Sequence, residues 1–252
     1  MNTARTLTGS RTGALAGTQV GARTGTLAGP RADAQTGTWP YGPHAAAMLS
    51  FNQLPSRWLH ASRWTSLLPP GWPVPAADNG PGHRHCSALI LRQLGAGAAP
   101  ITDWQRPEWP LAVLPAPQWA QLLRRLGLML VQPVLRQAIR GEQLRAAAAE
   151  LGDDDLAWAR QRAPRLPSAL EEFAELPALT LLAARLPQLS AGLLAQGTAA
   201  APVAMRQRLA LRAPVPAPYR PDVGATRAAW ALTLTLLDDL EPSWRSSFPG
   251  SR

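Results

Sequence analysis

Residues 117–132, PQWAQLLRRLGLMLVQ, decide the fold class. Trp119, Leu122, Leu123, Leu126 and Leu130 recur at i, i+3, i+4, i+7 and i+11, the spacing of a helical stripe turned toward a core. Gln121, Arg124, Arg125 and Gln132 hold the opposite side. Leu128 to Val131 is apolar all round, which predicts deep burial at that end. Pro133 is expected to break the helix or to begin another over Val134–Arg140, because it lacks the N–H of the helical ladder.

Outward from this helix the pattern stays helical. Residues 141–150 are alanine-rich and favour helix by propensity. Gly152 ends that run, and Asp153 is placed to cap a helix reaching about Ala163. Leucine-rich helical stretches follow at 167–175, 177–186 and 188–196, each cut by proline or glycine. Residues 202–212 read as a helix or a strand, 213–221 as a proline-rich connector, and 224–241 as a last amphipathic helix with Trp230, Leu234 and Leu237 on one face. On the N-terminal side, 96–117 is proline-rich and irregular, His85–Leu94 is a helix closed by Gly95, and 76–84 is a loop. Pro55 suits the first turn of a helix running to about Leu68, which Pro69, Pro70 and Gly71 stop. No convincing run of period-two strands occurs. The expectation is a mainly α, irregular multi-helix single domain over residues 48–245, with proline-rich connections.

Residues 1–47 read as a disordered, low-complexity tail of Gly, Ala, Thr and Arg, with too little apolar area to offset chain entropy. The segment RTGALAG at 11–17 echoes RTGTLAG at 23–29, but two imperfect copies do not make a solenoid. Residues 246–252 read as a flexible C-terminus.

The composition removes several chemistries. All 25 basic residues are arginine. Without lysine there is no P-loop, no kinase strand lysine and no Schiff-base amine. The bias matches a GC-rich genome, which also enriches Ala, Gly and Pro. The single cysteine, Cys86, forms no intramolecular disulfide, which suits a reducing cytosol. No apolar run is long enough to span a membrane, and no secretory signal is evident. The net charge of +9 suggests acidic partners or nucleic acid, yet beyond residue 50 arginines and acids are interleaved rather than gathered in a patch.

Each candidate site has a plainer role available. His83, His85 and Cys86 form an HRHC cluster, but structural zinc needs a second ligand pair, so an exposed loop is the expectation. Asp153, Asp154 and Asp155 diverge by about 100° each around a helix and cannot converge on one ion; they complement the helix dipole instead. Glu171 and Glu175 share a face, but the Glu-x-x-His motif of a di-iron bundle is absent, so a solvated face is expected. Gly95-Ala-Gly97-Ala-Ala-Pro100 lacks both the third glycine and the strand context of a dinucleotide fingerprint. No catalytic, cofactor or metal residues are therefore assigned. Most of the ten tryptophans are expected in the core. Trp104 and Trp109 lie in a polar, proline-rich stretch with Arg106 and Glu108. Trp104, Arg106 and Trp109 are the expected exposed, partner-binding residues, since tryptophan and arginine are enriched in binding hot spots.

Two segments together carry a resemblance. The first is Phe51-Asn-Gln-Leu-Pro55-Ser-Arg-Trp58-Leu59-His60. The second is Leu122-Leu-Arg-Arg-Leu126-Gly127-Leu-Met-Leu130, continuing through Val134-Leu-Arg-Gln-Ala-Ile139-Arg140. A later Arg206-Gln-Arg-Leu209-Ala-Leu-Arg212 adds to them. In order and spacing the chain resembles the SctK (YscK/HrpD/OrgA-like) family of type III secretion components over roughly residues 48–245. Trp58 stands where that family often has tyrosine, and the tail departs from its pattern.

The resemblance implies an accessory adaptor of the cytoplasmic sorting platform. Such a protein links the inner-membrane ring protein SctD to the SctQ pods, which connect through SctL to the ATPase. It implies no enzyme activity and no cofactor, and a place at the cytoplasmic face of the inner membrane. The competing expectations are a nucleic-acid-binding or regulatory helical protein, motivated by the arginine excess, and an enzyme of unrecognised type.

Overall fold

The 117–132 stripe becomes the longest helix of the structure, a computed structural model that describes residues 42–138, 140–174, 178–216 and 222–248. All of these belong to one compact unit. The described residues hold no strand. Their α-helices in chain order are α1 (Ala45–Gln53), α2 (Trp64–Leu67), α3 (Gly80–Leu94), α4 (Trp109–Ala112), α5 (Ala116–Gln137), α6 (Gly141–Leu151), α7 (Asp153–Ala157), α8 (Leu182–Gly197), α9 (Val203–Leu211) and α10 (Val223–Leu240).

α5 buries Trp119, Leu122, Leu126 and everything from Leu128 to Val131, as its period requires. It packs most extensively on α8, and α8 in turn on α10. Pro133 does not break α5, which runs on to Gln137. The fully buried Leu135 beyond the proline holds the last turn in the core, outweighing the lost hydrogen bond. Pro187 is likewise absorbed, so the expected stretches at 177–186 and 188–196 merge into α8. Gln132, expected on the polar side, is buried. Its amide donates to the carbonyls of Ala159 (3.3 Å) and Pro164 (3.0 Å), which the widened π turn Trp158–Arg162 and the residues after it leave without helical partners.

Close approach sets two glycines. A Cβ on Gly127 would lie 2.9 Å from the Leu186 carbonyl oxygen, and one on Gly197 3.1 Å from the Trp230 backbone nitrogen. The second crossing also turns α10. It buries Ala225, Ala229, Leu232, Thr233, Leu236 and Leu237, leaving Trp230 and Leu234 only half-buried, because small side chains are needed where α8 and α10 touch.

The expected domain limits shift at both ends. α1 starts at Ala45, ahead of Met48, because the 3₁₀ turn Gly42–His44 leads into it. The His44 ring stacks on Phe248 at 4.3 Å, and Phe248 is buried, so neither 42–47 nor 246–248 is a loose end. Residues 1–41 and 249–252 lie outside the described residues. The single helix expected over 55–68 is instead the 3₁₀ turns Pro55–Trp58 and Ala61–Arg63 followed by α2. Each piece is fixed by tertiary bonds: the Ser56 hydroxyl reaches His83 Nδ1 at 3.0 Å, and His60 N–H donates to the Leu211 carbonyl at 2.9 Å. Asn52 forms a reciprocal amide pair with the backbone of Ile101, 3.0 Å each way.

Gly127→Ala is expected to destabilise the protein by about 1–3 kcal/mol, since the added methyl meets backbone. Gly192→Ala, with open space around its Cβ, is expected to stabilise it by about 0.5–1 kcal/mol through helix propensity. Urea midpoints of the two variants check the contrast.

Candidate partner-binding cleft

α9 and its C-terminal cap carry two arginines four residues apart, Arg208 and Arg212, on a segment anchored by Met205 and Leu209. Both arginines are buried, and neither meets a carboxylate. Arg208 Nη1 donates to the carbonyls of Gly97 (2.8 Å) and Ala99 (3.0 Å), and Nη2 to Ala98 (3.1 Å). Arg212 Nη1 donates to Leu111 (2.8 Å) and Ala112 (2.6 Å), and Nη2 to Leu114 (2.6 Å). Arg63 reaches the end of α9 itself, donating to the carbonyls of Ala210 (3.2 Å), Ala213 (3.1 Å) and Pro214 (3.0 Å). Each guanidinium thus takes carbonyls near the C-terminal end of a helix or 3₁₀ turn, where the helical ladder runs out, and its forked donors can reach several at once.

Arg212 is also held between two indoles. Its guanidinium carbon lies 4.7 Å from the Trp58 ring centre and 4.2 Å from that of Trp119, within cation–π range. The Trp119 indole N–H donates to the Arg212 carbonyl at 2.9 Å. Burial pushes the Arg212 guanidinium down to about 9, so it stays cationic at neutral pH. Burial lowers Arg63 and Arg208 as well.

This stack floors a cleft of about 480 Å³ lined by Ser50, Arg57, Trp58, His60, Trp119 and Ala120. A groove of about 300 Å³ continues it along Leu123, Leu186 and Pro187, sharing His60, Trp119 and Ala120. A third, of about 320 Å³, meets the second at Pro214 and is lined by Arg63, Leu194, Arg206 and Gln207. None of the residues lining the three is an aspartate or a glutamate. Burial first, and then Arg63, lower the His60 pKa, so at neutral pH that imidazole adds a dipole rather than a charge. Its Nδ1 lies 2.8 Å from the Ser62 hydroxyl, while Ser50 accepts from the Trp58 indole N–H at 3.3 Å. The exposed Arg57 makes no ion pair among the described residues. Chemically, the cleft offers apolar walls, aromatic edges and positive charge.

The residues expected to bind a partner behave differently. Trp109 is 1 % exposed and not a surface residue. It stacks on Trp104 at 5.3 Å and meets Phe51 edge-on at 5.9 Å, and its indole N–H donates to the Asp103 carbonyl at 3.0 Å. Trp104 is partly buried against the core. Arg106 is engaged by the buried Glu108 through two bonds of 3.0 and 2.8 Å. The polar surroundings that suggested exposure are consumed locally by that ion pair. Among the described residues the exposed tryptophan is Trp72, stacked on His85 at 5.3 Å.

The HRHC cluster lies in α3, not in a loop, because Asn79 caps the helix with a 2.9 Å bond from Gly82 N–H. His83 and Cys86 are buried there. No group of metal-ligating side chains capable of holding an ion occurs among the described residues. Asp153 does not cap α7. Gly152 precedes that helix with φ 86°, and the three acids fill its first turn, where Asp155 pairs with Arg124. Glu175 lies outside the described residues. The cleft residues Arg57, Trp119 and Arg212 were missed as a site. The available signal was the four-residue spacing of Arg208 and Arg212 around the apolar Leu209-Ala-Leu211.

Comparison with protein-family models, with curated proteins and with solved structures finds no match for the chain.

Arg212→Met leaves buried carbonyls without donors and is expected to cost about 3–5 kcal/mol, lowering the melting temperature by about 10 °C. Arg57→Met should shift it by less than about 2 °C, as for an exposed position. Thermal unfolding followed by circular dichroism checks both.

Proposed function

We propose that the protein is an accessory adaptor of the cytoplasmic sorting platform of a type III secretion system, linking SctD of the inner-membrane ring to the SctQ pods. One observation carries the reading. Two of the segments in which the chain resembles the SctK family lie far apart in sequence, yet they meet at one cleft. Trp58 comes from the first and Arg212 ends the third, and between them stands Trp119, which precedes the second on α5. A likeness confined to short apolar motifs has no reason to assemble a single arginine–tryptophan stack.

The chemistry of the cleft supports binding by contact. Tryptophan and arginine provide large rigid area and directional donors, the residue types that dominate protein interfaces. Among the described residues no helix is long and apolar enough to cross a membrane. A place at the cytoplasmic face of the inner membrane would therefore come from protein contacts. The reading calls for no cofactor and no reaction.

Tagged protein purified from its native host at moderate salt, with its companions identified by mass spectrometry, is expected to bring SctQ, SctL or SctD. Recovery of nucleic acid alone, lost as salt rises through counterion release, would contradict the adaptor reading.

A further inference from the structure

The cleft and its two continuations carry an imbalance that the fold does not neutralise. Arg57, Arg63, Arg206 and Arg212 line them without an ion pair among the described residues. Arg124 is paired with Asp155, Glu150 accepts from the Ala183 N–H at 3.4 Å at the edge of the second groove, and no carboxylate is itself a lining residue. Arg63 and Arg212 hold only neutral carbonyls. Hydrogen bonds satisfy their donors but leave their charge uncompensated, and low-dielectric walls focus the resulting field into the grooves.

We infer that these linked grooves dock an extended segment of a partner protein in which acidic and apolar residues alternate. Its carboxylates face Arg57 and the field of Arg212, and its apolar side chains lie along Trp58, Trp119 and Leu186. The shape agrees. The three hollows, about 480, 300 and 320 Å³, follow one another as small pockets, which suits side chains entering from an extended peptide. The charges also exclude other occupants. Nucleic acid needs several free cations along its backbone. Here Arg124 is paired with Asp155, Arg206 donates to the Ala199 carbonyl, and Arg63 and Arg212 are held inside, leaving Arg57. The chain's own first 50 residues carry four arginines against one acid, Asp33, the same sign as the grooves. The inference rests on the adaptor reading only for the choice of a protein as ligand.

The test uses a fluorescein-labelled synthetic peptide of alternating Glu and Leu, and a Lys–Leu counterpart, titrated with full-length protein by fluorescence polarisation. The Glu–Leu probe is expected to bind saturably, more weakly as salt rises, and the Lys–Leu probe not to bind. Arg57→Glu reverses the rim charge, and Ala120→Trp fills the passage between the first two grooves from an exposed position. Each should weaken the Glu–Leu probe about tenfold or more, a difference well within titration accuracy, with the melting temperature unchanged. Equal binding of the two probes, unchanged affinity in Arg57→Glu, loss in Arg57→Glu without loss in Ala120→Trp, or no saturation below about 1 mM would each overturn it. Specific Glu–Leu binding without co-purified secretion proteins would leave the cleft standing and remove the adaptor reading alone.

Discussion

A buried guanidinium remains charged only where the protein replaces the water it has lost. Arg212 meets that condition with three main-chain carbonyls and two indole faces, and much of the fold depends on the arrangement. The carbonyls belong to the end of α4 and the turn that leads into α5. Trp119 belongs to α5, and Trp58 to the 3₁₀ turn that follows α1. One side chain from the C-terminal cap of α9 therefore ties together elements far apart in the chain. Arg208 does the same for the turn after α3, and Arg63 returns the favour by holding the end of α9. A lysine could not substitute, because its ammonium is a single point of donation rather than a planar fork. The exclusive use of arginine, whatever its genomic origin, suits a fold whose short elements present carbonyls at their C-terminal ends.

The same device explains the cleft. Cations that are satisfied by neutral acceptors stabilise the interior while leaving their charge to be felt outside it. Burying a carboxylate beside Arg212 would have completed an ion pair and closed the field; the fold uses backbone instead. The hollow above the stack is consequently apolar in shape and positive in potential, a combination that favours recognition by steering and by contact together.

How much of this was legible in the sequence follows from the length of each pattern. α5 and α10 announced themselves because several turns of period 3.6 overdetermine a helix, and α6 through the helix propensity of its alanines. Pro133 and Pro187 misled because a proline's local penalty was weighed without the burial of Leu135, Leu189 and Leu193 beyond it. The pieces between 55 and 67 are too short to show a period, and only their bonds to His83 and Leu211 define them. Trp109 was placed at the surface because its neighbours are polar, but Arg106 and Glu108 neutralise each other and leave the indole free to enter the core. The cleft was hidden for a different reason: Arg57, Trp119 and Arg212 are brought together only by tertiary structure, and arginines four apart read more readily as a solvated face than as a clamp.

That Arg212 is a fixed, charged clamp between two tryptophans is tested most directly by nuclear magnetic resonance of the arginine guanidinium groups at neutral pH. The account predicts one set of Nη protons that exchange slowly with water, are resolved from each other because rotation is blocked, and are moved upfield by the flanking rings. Trp58→Leu should return most of that upfield shift. Guanidinium signals that are all averaged and rapidly exchanging, with none affected by removing the indole, would contradict it.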